Sequence, residues 1–568
     1  MRAFLTVALL VLACSSNDES TGDEGAGANA GESSGASGGG GGTSSGRGGA
    51  SASSGAGGAG AVSGKGGNGG SGGSSGGTAG EGASGGSSGD AGAGAEAGSS
   101  GGAGAPEGVC DEPALAETST PDHVVGEGTP ESCTADALRA AAEAGGVITF
   151  DCGDDPVTIT VDSAIVLDEE SVLDGGGLVT LSGGGSARIL HFDSAYDLTT
   201  PRLTVQRLTF RDGNSPPGGE DTAVGGGAIY RDGGSLTVLE CQFHDNRAPE
   251  TGQDVAGGAI YGFGGGETVI ARSTFTGNRA SDGGAVGSLN GDLTILNSSF
   301  EDNSATGTDG NPGNGGCGGA IYMDGGDEVA TFCGVRITNN TAGHIGGGVF
   351  RVSNSDDGTM TIDRSTVSDN RVTRADDGNA GGLYLQGLAL TISASTIARN
   401  QAFYNGGIWL SESDATLTNV TVAENTAFGS NGGGVWLAND PTGTFLNCTI
   451  ANNRSTAADQ IAGAIFGAGM ALKNTIIAGN TAMYTPGCND AHPDEGGNLQ
   501  WPDGALCSDD PLVADPALGE LGDNGGTTET LVPSGASPAR GIGNDCPATD
   551  QRGEPRAEPC TAGSVEVP

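Results

Sequence analysis

The side chains best able to move a proton near neutral pH are five histidines, His123, His191, His244, His344 and His492, and no spacing recurs among them. Three adjacent acidic pairs, Asp356-Asp357, Asp376-Asp377 and Asp509-Asp510, come next, because paired carboxyls can split a glycosidic bond or hold calcium. Each pair runs into Gly or Pro, the composition of a solvated turn. Cysteines and histidines form no zinc-type cluster. The sequence therefore names no catalytic residue, no cofactor ligand and no metal ligand, and leaves structural calcium in the acidic loops open.

What does recur is an asparagine. A strand closing on Phe, Ile or Val, then two polar residues, then Asn, yields Asn246, Asn278, Asn303, Asn340, Asn370, Asn400, Asn425, Asn453 and Asn480, spaced 25 to 37 residues apart. A second motif alternates with it, a Gly pair opening a strand, as in GGAIY from Gly226 and GGIWL from Gly406. Between them lie strictly alternating strands such as LTVLECQF and LTISASTI. Two or three short strands per period near thirty, without a helix, predict stacked coils. The expected fold is an all-β, right-handed parallel β-helix of about ten coils, roughly 50 Å long. Stacking would align the Asn amides into a ladder along one corner, with Asn itself taking the left-handed backbone.

In eight of nine coils a ring follows the Gly motif: Tyr230, Tyr261, Tyr322, Phe350, Tyr384, Trp409, Trp436 and Phe466. Strand alternation sends the flanking aliphatics inward and the ring outward. An external aromatic stripe is the expectation, bordered by the variable loops that run from each Asn to the next Gly pair, and flat rings in a groove suit sugars. The competing reading is that the rings stack on one another and merely cover the sheet.

Glycine supplies 112 of 568 residues with no Gly-x-y period, which excludes collagen and argues against long helices. Residues 108–568 carry 61 acidic and 20 basic side chains, a net charge near −41, so a nucleic-acid binder is excluded and calcium or basic partners are favoured. Residues 1–13 read as a secretory signal too short to span a bilayer, and 14–107 as a disordered Gly/Ser/Ala tether. Residues 108–170 form an N-terminal cap with a helix from about Ala135 to Ala144, 171–484 the repeats, and 485–568 a C-terminal capping module. Close spacing suggests disulfides Cys133 to Cys152, Cys488 to Cys507 and Cys546 to Cys560, with Cys317 to Cys333 a weaker fourth, although spacing alone leaves connectivity open. Cys241 and Cys448, each two residues before the end of a strand, read as buried small hydrophobes.

The string VLAC resembles a bacterial lipoprotein box, which implies a lipid on Cys14, and Ser15-Ser16 lean toward the outer membrane. The alternation of GGAI with F-x-x-N resembles the repeats of polymorphic outer-membrane proteins, within the pectin-lyase-like right-handed β-helix class. Asp515-Pro516, Asp523-Asn524-Gly525-Gly526 and Asp550-Gln551-Arg552-Gly553 resemble the module termed choice-of-anchor Q, although the closing GSVEVP departs from its pattern. No series of barrel-type segments follows residue 482, so the lipid is the expected anchor. Together these imply a monomeric, cell-surface outer-membrane lipoprotein, joined to the membrane by its lipid and serving adhesion or the binding of an extracellular glycan or surface protein. The alternatives are a polysaccharide lyase or glycoside hydrolase on the same rod, and a structural spacer.

Overall fold

The structure is a computed structural model that describes residues 108–216, 224–310, 313–429, 431–456 and 461–568. The signal segment, Cys14 and the tether lie outside the described residues.

Strands of successive coils pair in parallel and in register, because like residues pack best on like residues when short strands must share one core. Phe210, Phe243, Phe275 and Phe300 fall into one column. Their rings stack inside the rod at centroid distances of 4.9, 4.5 and 4.6 Å. The column continues through Ile337, Val367, Ile397, Val422, Ile450 and Ile477. Three sheets wall the rod. One of 25 strands takes two strands from most coils, one of 11 carries the Gly-pair strands, and one of 7 holds the two-residue strands that follow seven of the asparagines, Asn278 to Asn453. The rod is a right-handed β-solenoid of about 12 turns, more than the repeats alone count. The extra turns flank them: Ile165–Leu167 and Leu190–Asp193 already stack in the Gly-pair sheet, and Leu499–Trp501 and Leu512–Val513 extend the largest sheet past Asn480.

The nine asparagines form one continuous chain of hydrogen bonds. Each Nδ2 donates to the Oδ1 of the Asn one coil on, from Asn246 through to Asn480, at 2.9–3.0 Å. The same Oδ1 also accepts the backbone N–H of the previous Asn, and Nδ2 gives its second hydrogen to a carbonyl such as Phe275 O. All nine are buried. The left-handed residue is not the Asn, as expected from sequence, but the one before it: Asp245, Asp302, Asn339, Asp369, Arg399, Glu424 and Asn452 have φ of 55 to 59°, with Gly277 and Gly479 in the same role. The chain must reverse before the amide can point inward along the column.

A second, shorter ladder lies one corner earlier. Cys241 N–H donates to Ser273 Oγ, Ser273 N–H to Ser298 Oγ, Ser365 N–H to Ser395 Oγ and Cys448 N–H to Thr475 Oγ1. Cys241 and Cys448 belong to this column of small residues, are the free cysteines among the described residues, and have thiols that burial pushes up to about 12.

Helix α1 (Ala135–Ala142) closes the N-terminal mouth with Leu138, Ala141 and Ala142, and Thr134 caps it by accepting Ala137 N–H at 3.2 Å. Cys133–Cys152 ties down its base, and Cys488–Cys507 joins the core at the far mouth. The C-terminal module leaves the stack only after Val513. It folds back along the flank, where Leu518, Leu521 and Leu531 cover Ala423 and Ala451, and Ala539, Ile542 and Ala562 cover Ile476 and Ala478. Gln551 reaches Ser395 O and Thr396 Oγ1, while the Asp550 carboxylate ties the segment together through Arg552 and the Glu566 N–H. Cys546–Cys560 closes the module. The suggested Cys317 to Cys333 bridge does not form, because Cys333 is bonded to Cys110.

Replacing Asn370 by Ala would strand two donors of Asn340 and acceptors on Asn400 and Ile337. At about 1–3 kcal/mol per unsatisfied buried group, the loss should be at least about 3 kcal/mol. Asn480→Ala, which has ladder bonds on one side only and strands three groups instead of four, should lose about three quarters of that. Urea midpoints followed by circular dichroism check both, and equal losses would contradict a cooperative ladder.

Candidate functional site

In the Gly-pair strands the aliphatics Ile229, Ile260, Val286, Ile321, Val349, Leu383, Ile408, Val435 and Ile465 enter the rod's core, and the next residue points away from it. The eight rings do lie outside the barrel, but the expectation of an accessible stripe fails. Tyr261, Tyr322, Phe350, Tyr384 and Trp409 are 0% exposed, Tyr230 and Trp436 are buried, and Phe466 is half-buried. The loops thought to wall a groove instead fold over the rings, and Ala256, Cys317, Ile345, Ala380 and Tyr404 pack on them. Ring stacking runs from Tyr322 to Phe350, Tyr384 and Trp409 at 5.2, 5.1 and 4.0 Å. The signal for this second core was present in the sequence, since an apolar residue precedes the Gly pair at Ala256, Cys317, Ile345 and Ala380.

One rung lacks a ring. Gly287 lies between Tyr261 and Tyr322 in register, and a buried acidic group borders that gap. Tyr322 Oη lies 2.7 Å from Asp254 Oδ1 and 3.1 Å from Asp324 Oδ2, and Asp282 Oδ1 accepts Cys317 N–H at 2.8 Å. Burial pushes the Asp282 carboxyl well above its ordinary 3.8, and the Asp254 and Asp324 charges push the same way. Among the described residues no three His, Cys, Asp or Glu side chains converge as a metal site.

The histidines do not meet. His344 faces Asp377 at 3.6 Å, His492 contacts Met470 O, His191 lies against the Tyr230 ring and His244 bonds Gln242. Burial pulls all four below the usual imidazole range. Asp376 and Asp377 both bind Arg374, and Asp356 occupies a left-handed turn.

An open concavity walled by both the rod and the C-terminal module lies on the outer face of the strands that precede the Asn ladder. Across four coils that face presents Glu301, Arg336, Thr338, Asn339, Thr366, Ser368, Asp369 and Arg399, and residues 523–529 of the C-terminal module form the facing wall. The cavity measures 380 Å³. Register places Ser299, Arg336 and Thr366 in one column and Glu301, Thr338 and Ser368 in the next. Arg399 bridges the two walls, with Nε 3.0 Å from Asp369 and Nη2 2.7 Å from Glu529. Burial pulls the Arg399 guanidinium down, and the bonds to Asp369 and Glu529 more than reverse this. Arg336 has no ion-pair partner among the described residues and projects from an exposed position. Hydroxyls, amides and one uncommitted guanidinium can hydrogen-bond a polar ligand along the rod. Sequence reasoning missed this groove because its walls come from segments more than 120 residues apart.

Residues 309–482 match the family described as "Right handed beta helix region". No curated protein matches the sequence. Among solved structures the chain is similar to the mannuronan C-5 epimerase AlgE4 A-module of Azotobacter vinelandii, at 17% identity over 69% of this chain and 96% of that one, with a TM-score of 0.30. PfbA, a surface adhesin of Streptococcus pneumoniae, is 12% identical over 70% and 96%, with a TM-score of 0.28. The pectate lyase Pel9A is 13% identical over 79% and 97%, with a TM-score of 0.29. These likenesses span two enzymes and an adhesin, and they select no activity.

Two measurements follow from the covered rings and the covered acid. Trp409 is 0% exposed, Trp436 is 7% and Trp501 is 41%. Iodide should therefore quench wild-type fluorescence only in part and leave a Trp501→Phe variant nearly unaffected, whereas strong quenching of that variant would restore an accessible stripe. For Asp282, a folded pKa above 3.8 means that the folded state binds the proton more tightly. The stability tied to that proton is complete below about 3.8 and is lost as pH rises toward the folded value. Asp282→Asn should match wild type near pH 3.5 and gain on it progressively toward pH 7 in thermal midpoint, and a pH-independent difference would contradict the assignment.

Proposed function

We propose that this protein is an extracellular adhesion or ligand-binding scaffold, and that the groove between the rod and residues 523–529 receives the ligand. The observation that carries the reading is the groove itself, a 380 Å³ cavity lined by hydroxyl, amide and charged side chains from four coils and closed by the module. A glycan fits it best. Arg336 and Thr366, and likewise Thr338 and Ser368, stand one coil apart in register, roughly 4.8 Å along the axis, a spacing on which a chain of sugar hydroxyls can form successive hydrogen bonds.

The wider setting of this proposal is a lipoprotein anchored through Cys14, at the outer membrane and facing outward, with repeats like those of polymorphic outer-membrane proteins and a flank module like choice-of-anchor Q. Binding is favoured over catalysis because Asp369 and Glu529, the two carboxylates that face each other across the groove, both direct oxygens at Arg399, which holds the two walls together. The aromatic stripe has no part in the proposal, since its rings are covered.

Titration of neutral and acidic polysaccharides against the full chain by calorimetry, with reducing-end release measured in parallel, tests the reading. Arg336→Ala and Thr366→Val should each weaken binding about tenfold or more, as expected when a ligand loses a hydrogen bond worth about 1.4 kcal/mol, with no product released. Unchanged affinity in both variants would remove the groove from the proposal, and product release by wild type would replace binding with catalysis.

A further inference from the structure

The N-terminal segment of the described chain does not leave the rod at its capped end. From Thr118 back to Val109 it runs along one corner, climbing coil after coil. Thr118 Oγ1 donates to Asp174, and Ala116 exchanges two hydrogen bonds with the Gln206 amide, at 2.8 and 3.1 Å. Glu112 pairs with Arg272 and accepts from Asn297, and Cys110 exchanges two bonds with the same Asn297 amide, at 3.0 and 2.8 Å. Arg364 Nη1 donates to Val109 O at 2.6 Å. Leu115 and Cys110 cover Leu239, Ala271, Leu296 and Cys333, a small apolar column on the outside of the rod. The Cys110–Cys333 disulfide locks this strap at its far end, across a sequence separation of 223 residues.

We infer that the Cys110–Cys333 bridge makes the middle of the rod, and not its N-terminal cap, the point at which tension on the preceding chain enters the solenoid. The bridge closes residues 110–333 into a covalent loop that holds the cap, α1 and every coil up to Cys333. Tension between a point before Cys110 and a point after Cys333 therefore crosses the sulfur–sulfur bond and runs through no backbone between them. Without the bridge the same pull would peel the strap one contact at a time and then load His123–Val125, a three-residue strand paired with one neighbour only. Peeling breaks hydrogen bonds singly, which is the weakest way to load a set of parallel bonds. The consequence for adhesion rests on the groove reading above: Arg336 follows Cys333 by three residues, so a ligand in the groove and the tether would be joined by a short covalent path. The load path itself depends on neither ligand nor lipid.

The two buried free thiols are built-in reporters, since Cys241 lies inside the loop and Cys448 outside it. The full chain would be held by a handle placed before residue 108 and pulled by a C-terminal handle in the presence of a maleimide. In the oxidised wild type, Cys448 should label under load while Cys241 labels at least tenfold more slowly. In a Cys110→Ala/Cys333→Ala double variant both should label, with an added contour length of roughly 690 Å, from about 3.4 Å for each of the 223 residues released except the 19 that Cys133–Cys152 still holds. Both thiols should stay protected in both proteins at zero force, which establishes that the variant is folded. If the variant labels without load, the wild type alone still decides. Labelling of Cys241 as fast as Cys448 in the oxidised wild type under load overturns the inference, whatever the fate of the groove.

Discussion

The buried asparagine amide is the constraint from which the rest of the rod follows. Each carries two donors and an acceptor with two lone pairs into a space without water, and only the coils before and after can satisfy them. A coil that slipped by one residue would bury the amide unpaired and turn its hydrophobic set outward at the same time. The ladder therefore fixes register, and register fixes every other column: the stacked phenylalanines inside, the hydroxyl ladder at the neighbouring corner, and the rings outside. The corner also explains part of the acidity. Asp245, Asp302 and Asp369 stand at left-handed positions that Asp tolerates better than most residues, so some of the negative charge is a by-product of backbone geometry.

Around that core the molecule is layered. The Gly-pair sheet is sealed by its own loops, the first half of one corner by the N-terminal strap, and the outer face of the later coils by the C-terminal module. The strap and the module use one device, side chains of the rod bonding the main chain of an extended segment. Asn297 holds Cys110, Gln206 holds Ala116, and Thr396 Oγ1 bonds Glu529 O. The groove is the stretch of outer strand face that the module borders without covering.

The sequence disclosed whatever repeats and hid whatever is made once. The nine ladder residues, the strand alternation and α1 were legible because each leaves a local or periodic trace. Ring parity was legible too, but coverage was not, because alternation says which way Trp409 points and nothing about the loop that lands on it. Cys133, Cys152, Cys488, Cys507, Cys546 and Cys560 lie near their partners in sequence, whereas Cys110 finds Cys333 only once six intervening coils have stacked, and no spacing rule reaches that far. The groove failed for the same reason, since Arg399 and Glu529 share no segment.

That long-range pairing sets a problem of order for a chain made from its N-terminus. Cys110 emerges more than two hundred residues before Cys333, and the next thiol to follow it is Cys133. Oxidation of Cys110 with the next thiol would join it to Cys133 and deprive Cys152 of its native partner. The native set is reached only if Cys110 stays reduced until the coil of Cys333 has closed, or if an early mispairing is undone by thiol exchange. Maturation of this rod thus depends either on late oxidation of Cys110 or on disulfide exchange.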